Sequence, residues 1–341
     1  MLRISSPLST RFANRTLGAA LLILAALSGC TSAPQTRQLL QSPAESPPRR
    51  ALVADVPFFA QEQYQCGPAA LAMALRFSGV AADPQSLVDQ VYLPARQGSL
   101  QPEMLAASRR VDRLPYSHPP RLDALLTALD NGLPVLVLLN QGLDSIPRWH
   151  YAVLIGYDLS EETVTLHSGV TERMIRPLAL FEQSWRKGGF WALSLLDPSL
   201  PPPAALDLQR YLQAALDLSK GGRQKSAQQA FASARQSWPD SPLPWMLEGN
   251  GHYAAARYRA AEQAFRHAIN LDPSLIAAWN NLAYALVGQE CALAARASLS
   301  CGLRLSPDSE ILLDSQKQLG ELPASPSAVC PPVTCTAQPR S

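Results

Sequence analysis

Gln61-Glu62-Gln63-Tyr64-Gln65-Cys66-Gly67-Pro68-Ala69-Ala70-Leu71-Ala72-Met73-Ala74-Leu75 begins polar and turns abruptly into an Ala/Leu/Met run, which is strong helix-forming material. Gly67 and Pro68 sit at the join. Proline is accommodated in the first turn of a helix, because its missing N–H would be unpaired there anyway. Cys66 is therefore expected at or just before a helix N-terminus. The free N–H groups and the dipole of such an end favour negative charge, and a thiol placed there becomes a more available thiolate nucleophile. A buried core cysteine is the alternative fate. A partner histidine further along the chain favours chemistry.

Outward from this stretch, Val53 to Phe59 is a short apolar lead-in, and Gly79 stops the Cys66 helix near Ser78. Short helices are expected over Pro84 to Val91, Pro102 to Arg110 and Leu122 to Asp130, the last closed by Asn131-Gly132. The character then changes. Pro134 to Leu139 and Tyr151 to Tyr157 are apolar runs bounded by turn residues, and they read as buried strands. Thr163 to His167 and Phe190 to Leu195 are two more. Helices first and antiparallel strands later is an α+β pattern.

His150 heads the strongest strand, in Arg148-Trp149-His150-Tyr151-Ala152-Val153. An imidazole on a rigid strand end can take a thiol proton and return it to a leaving group; a histidine satisfied by backbone is the plainer alternative. The side-chain amide of Gln61 can donate to the oxyanion formed when a carbonyl is attacked, beside the backbone N–H of Cys66. Gln63 and Gln65 are alternatives for that role.

These residues resemble a family. Gln61…Cys66-Gly67-Pro68-Ala69-Ala70-Leu71, followed by His150-Tyr151-Ala152-Val153-Leu154-Ile155-Gly156-Tyr157-Asp158, is similar to the papain-like cysteine peptidases that trim bacteriocin leader peptides, cysteine peptidase family 39. The resemblance covers about Val53 to Leu196. It implies Cys66 as nucleophile, His150 as base and Gln61 as oxyanion donor. Family members usually carry an Asp followed by Pro on the strand after the His strand. Here that strand reads Leu166-His167-Ser168-Gly169, which puts Ser168 where the Asp is expected. Ser168 or His167 can orient the imidazole but cannot neutralise an imidazolium as Asp does.

Met1 to Gly29 reads as a targeting segment: Arg3, Arg11 and Arg15 precede the apolar run Leu17 to Leu27. Leu27-Ser28-Gly29-Cys30 resembles the lipobox of bacterial lipoproteins, which implies cleavage before Cys30 and lipidation of that residue. Several acyl chains anchor a protein stably where one is marginal. Thr31 rather than Asp follows Cys30, and by the same resemblance this implies an outer-membrane lipoprotein facing the periplasm. Thr31 to Arg50 is rich in Pro, Ser and Gln and reads as a flexible spacer. The formal charge of +2 for the whole chain falls to about −1 once three arginines leave with the signal. Neither nucleic acid nor an anionic surface is suggested as a partner.

A second region begins after the Pro-rich stretch Leu196 to Pro203. Pro239, Pro273 and Pro307 stand 34 residues apart. In phase with them run Ala227, Ala261 and Ala295; Phe231, Phe265 and Leu299; and Ala234, Ala268 and Gly302. Tyr211, Trp245 and Trp279 lead the repeats. Period and pattern are those of tetratricopeptide repeats, helix pairs that stack into a partner-binding surface.

The expected fold class is thus an α+β papain-like cysteine peptidase domain followed by an all-α tetratricopeptide repeat domain. The boundaries are 1–29 signal, 30–51 tether, 52–198 peptidase domain, 203–322 repeats and 323–341 disordered tail. Cys291 and Cys301, ten residues apart, lie about 15 Å apart along a helix and cannot bridge each other. Cys330 and Cys335 could pair in an oxidising compartment, although connectivity does not follow from sequence. His118, His252 and His267 are scattered, and no metal or cofactor site is implied. The function expected is acyl transfer at Cys66 on a peptide or protein, with a protein partner on the repeats and the membrane reached through Cys30. A peptide-binding scaffold without turnover and a transferase using the same thioester are the alternatives.

Overall fold

The computed structural model describes residues 33–41, 48–61, 65–320 and 330–335. The targeting segment and Cys30 lie outside them. Contacts divide the chain into two compact units, Met1–Ala54 with Pro119–Ala192, and Asp55–His118 with Leu193–Ser341.

The first unit is built on antiparallel strands. β5 (Val135–Asn140) is buried along its whole length, as its unbroken apolar run requires. It pairs with β6 (Trp149–Asp158), and β6 pairs with β7 (Thr163–Ser168). β7 pairs in turn with β8 (Thr171–Pro177). β1 (Arg50–Leu52) joins β6 at its far end, Leu52 opposite Gly156. Gly156 is required there: a Cβ would stand 2.7 Å from the Ala51 carbonyl oxygen. α5 (Leu122–Asp130) and α6 (Leu178–Lys187) pack on these strands. The period that buries Leu178, Phe181 and Trp185 is legible in the sequence as an amphipathic helix, yet neither α6 nor β8 was expected. β8 presents mostly exposed residues, so it carries no clean apolar alternation.

The spacer expectation is corrected. Pro34–Gln41 forms a helix, α1, with Thr36 buried. Its first N–H groups, on Gln35 and Thr36, donate to the two carboxylate oxygens of Glu182 at 3.0 and 2.6 Å. Arg50–Leu52 is a strand, and the Tyr157 hydroxyl donates to the Pro48 carbonyl at 2.6 Å. Proline and glutamine content suggested a free chain, but the carboxylate and the strand edge supply partners that composition does not reveal.

In the second unit α2 (Cys66–Phe77) and α3 (Pro84–Val91) precede a minimal hairpin of β2 (Tyr92–Leu93) and β3 (Gly98–Ser99). α4 (Gln101–Arg110) follows. β4 (Leu114–Ser117), another unexpected element, pairs antiparallel with β9 (Ala192–Leu196). Phe190 belongs to the preceding turn, with a φ of 55°, so the last strand starts later than its composition suggests.

Among the described residues seven helices follow in this unit: α7 (Leu208–Lys220), α8 (Gln224–Ser237), α9 (Leu243–Ala254), α10 (Tyr258–Leu271), α11 (Ile276–Val287), α12 (Ala292–Leu305) and α13 (Glu310–Gly320). Pro239 and Pro273 each fall between two helix pairs, and Pro307 falls between the third pair and α13, so each ends one repeat. The in-phase Ala227, Ala261 and Ala295 are fully buried, with 0% exposure, because only small side chains fit where paired helices approach. Within the pairs a left-handed residue recurs in the same phase, at Gly222, Ala256 and Glu290. Only the first is the glycine this conformation favours. Ala261→Trp should overfill the α10 crossing and destabilise the repeats by about 1–3 kcal/mol; thermal unfolding followed by circular dichroism measures the loss.

The tail and the cysteines are corrected too. Cys330 and Cys335 do not pair with each other. Cys291 bonds Cys330, and Cys301 bonds Cys335. Arg266 donates to the carbonyls of Pro332 and Pro331 at 3.1 and 3.4 Å, so residues 330–335 lie against the repeats rather than loose. The match has a geometric reason. Ten residues of helix rise about 15 Å, and five residues of extended Pro-rich chain cover about the same distance.

Candidate active site

The helix N-terminus expected at Cys66 is present: Cys66 is the first residue of α2, with Pro68 in the first turn. Gln65 caps the helix without a side-chain bond. Cys66 is half-buried and outside both disulfides. Gly67 is needed beside it, because a Cβ there would collide with the side chain of Ser99. Gln61 lies in the coil upstream, half-buried, and Gln63 falls outside the described residues.

In the first unit His150 is the second residue of β6. Its Nε2 lies 2.8 Å from the Ser168 hydroxyl at the end of β7. Ser168, at 3% exposure, and His167 are both buried, but adjacent strand residues point to opposite faces. His167 uses Nδ1 to accept the Arg173 backbone N–H at 3.2 Å. Of the two candidates, Ser168 is the one in hydrogen-bond contact with the His150 ring.

Two residues that sequence reasoning missed shape this end of β6. Asn140, at the end of β5, accepts the N–H groups of Gly142 and Arg148 at 2.9 Å each. This ties down the loop that leads into His150. A polar Asn closing an apolar strand before Gln141-Gly142 was the available signal. Arg176, on β8, is the second influence. Burial first, and the Arg176 charge next, lower the pKa of His150 to about 4. No carboxylate opposes them at the Ser168 position, so His150 is neutral near pH 7.

His118 is a second neutral imidazole. It is buried, with Nε2 2.8 Å from the Ser194 hydroxyl, and burial lowers its pKa to about 3, with a smaller push from Arg210. An unfolded imidazole titrates near pH 6.5. Below that pH the unfolded chain binds protons that folded His118 and His150 refuse. Their contribution is complete above about pH 6.5 and is lost as pH falls towards the folded values, by about 1.4 kcal/mol per pH unit for each histidine. The melting temperature should fall between pH 6.5 and 4, and His118→Gln should flatten the fall. An unchanged pH profile in that variant would refute the assignment.

An open cleft of about 620 Å³ in the second unit is lined by Arg109, Arg110, Asp217, Lys220 and Arg223, among others. Neither Cys66 nor Gln61 lines it.

A helix-borne cysteine, a strand-borne histidine and an antiparallel sheet are the parts of a papain-like fold, and the stacked helix pairs are tetratricopeptide-like. Residues 53–192 match the model of the family described as Peptidase_C39 like. No curated protein matches the chain in sequence. A C39-like peptidase from Bacillus anthracis is similar in structure, 20% identical, with 43% of this chain and 97% of that one covered and a TM-score of 0.38. The second TPR domain of human RPAP3, solved with an HSP70 peptide, is 16% identical over 32% of this chain and 92% of that one, with a TM-score of 0.31. The OM64 TPR domain of Arabidopsis gives 16% identity, 33% and 93% coverage, and 0.31. The fold class is an α+β papain-like C39 domain with an antiparallel sheet, followed by a helical region resembling tetratricopeptide domains.

Proposed function

We propose that the chain is a lipid-anchored cysteine peptidase acting by acyl transfer on a peptide or protein, with the repeats recruiting a protein partner. The observation that carries this reading is the 2.8 Å contact between His150 and Ser168, inside a C39-like match that also contains Cys66. With Nε2 engaged by Ser168, Nδ1 is left to act as base. Nδ1 takes the thiol proton as Cys66 Sγ attacks the carbonyl carbon, while Gln61 and the Cys66 N–H hold the oxyanion. The amine leaves with that proton and a thioester remains. Water, deprotonated by Nδ1, then releases the acid and restores the thiol.

Ser168 holds the ring but carries no charge, so each imidazolium forms without a neutralising carboxylate. Slow turnover follows, and Ser168→Asp should leave it unchanged or raise it. Hydrolysis of a broad peptide library by both forms tests this. No turnover in either favours the second reading, a peptide-binding scaffold, which the lowered pKa of His150 supports.

Two disulfides support an oxidising compartment, in keeping with an outer-membrane lipoprotein facing the periplasm. Cys30→Ser should release the protein from membranes or stall its processing. Retention of that variant after a carbonate wash would contradict lipidation.

A further inference from the structure

From Ala33 the chain is fixed to the first unit rather than trailing from it. Ala33 and Thr36 are 8% and 4% exposed. The buried carboxylate of Glu182, on α6, accepts the N–H groups of Gln35 and Thr36, bonds strengthened by the acceptor's charge. The Gln35 side chain adds two more: its oxygen accepts the Leu122 N–H at 2.6 Å, and its nitrogen donates to the Pro120 carbonyl at 3.2 Å. α1 is thereby stitched to α6 and to the start of α5. At the far end of the same stretch, the Arg49 carbonyl accepts the Leu159 N–H at 2.7 Å and β1 pairs with β6.

We infer that the surface of the first unit around the N-terminus of α1, including Pro119, Pro120 and Arg121, lies directly against the lipid bilayer. The inference rests on lipidation of Cys30. Two residues, Thr31 and Ser32, separate Cys30 from Ala33, and three steps of at most about 3.3–3.6 Å each make the leash about 10 Å long. A free spacer of twenty residues would hold the unit about 25 Å away on average. The lipid therefore fixes the height of the unit above the membrane.

Neutron reflectometry on the mature, lipidated protein in a supported bilayer reads the water gap between headgroups and protein. The expected gap is within about 10 Å. Inserting a fifteen-residue Gly-Ser segment after Ser32 should widen it to about 20 Å. Glu182→Ala should widen it too, as α1 lets go. Gln35→Ala, which leaves the buried carboxylate in place, should do so to a smaller extent. A wild-type gap equal to that of the Gly-Ser variant overturns the inference while leaving lipidation intact. Protein absent from the bilayer overturns lipidation, and the inference falls with it.

Discussion

Replacing Cys330 and Cys335 together by serine should lower the stability of the repeat region by on the order of 5 kcal/mol. The bonds close 39 and 34 residues of chain, and loops of that size are each worth about 3–4 kcal/mol in loop entropy. They overlap, so the sum is less than twice either. For a region of this size the melting temperature should drop by roughly 20 °C. Reductant should reproduce the drop in the wild type and leave the variant unaffected. A shift of only a few degrees would mean that the tail adds little to the helix stack. Arg266 would then hold residues 330–335 in place without contributing much to stability.

Cys66→Ala should abolish turnover, because the other described cysteines are all held in disulfides and cannot form the thioester. Gln61→Ala should leave thiol alkylation nearly intact and still cut turnover by about 10²–10³-fold, the usual loss on removing one oxyanion donor. That split separates a group acting on the transition state from one that activates the nucleophile. If Gln61→Ala turns over at the wild-type rate while Gln65→Ala does not, the donor is the helix-capping glutamine.

The parts of the fold legible in the sequence are those where one local signal sufficed. Pro68 placed the start of α2, the unbroken Val135–Leu139 run placed β5, and a strict spacing of prolines placed the repeats. What stayed hidden depends on partners distant in sequence. Glu182 makes a helix of Pro34–Gln41 from 146 residues away. Cys291 and Cys301 take their partners from the tail, and their spacing along α12 matches the Cys330–Cys335 spacing only once both conformations are known. At the site, Cys66, His150 and Ser168 were legible as residue types in a pattern. The electrostatic state of His150 was not, because it comes from burial and from Arg176 on a strand with no clear apolar alternation.

Labelling with a thiol-directed acyl electrophile near neutral pH, followed by peptide mapping, tests the central claim most directly. Cys291 and Cys301, as disulfides, give no comparison thiols, so an unstructured cysteine peptide serves as the reference. Cys66 should be the labelled residue and should react faster than the reference. His150→Ala should slow it by at least tenfold, and Ser168→Asp should not. Labelling of Cys66 at the reference rate, indifferent to His150→Ala, would contradict the enzyme and leave a peptide-binding module.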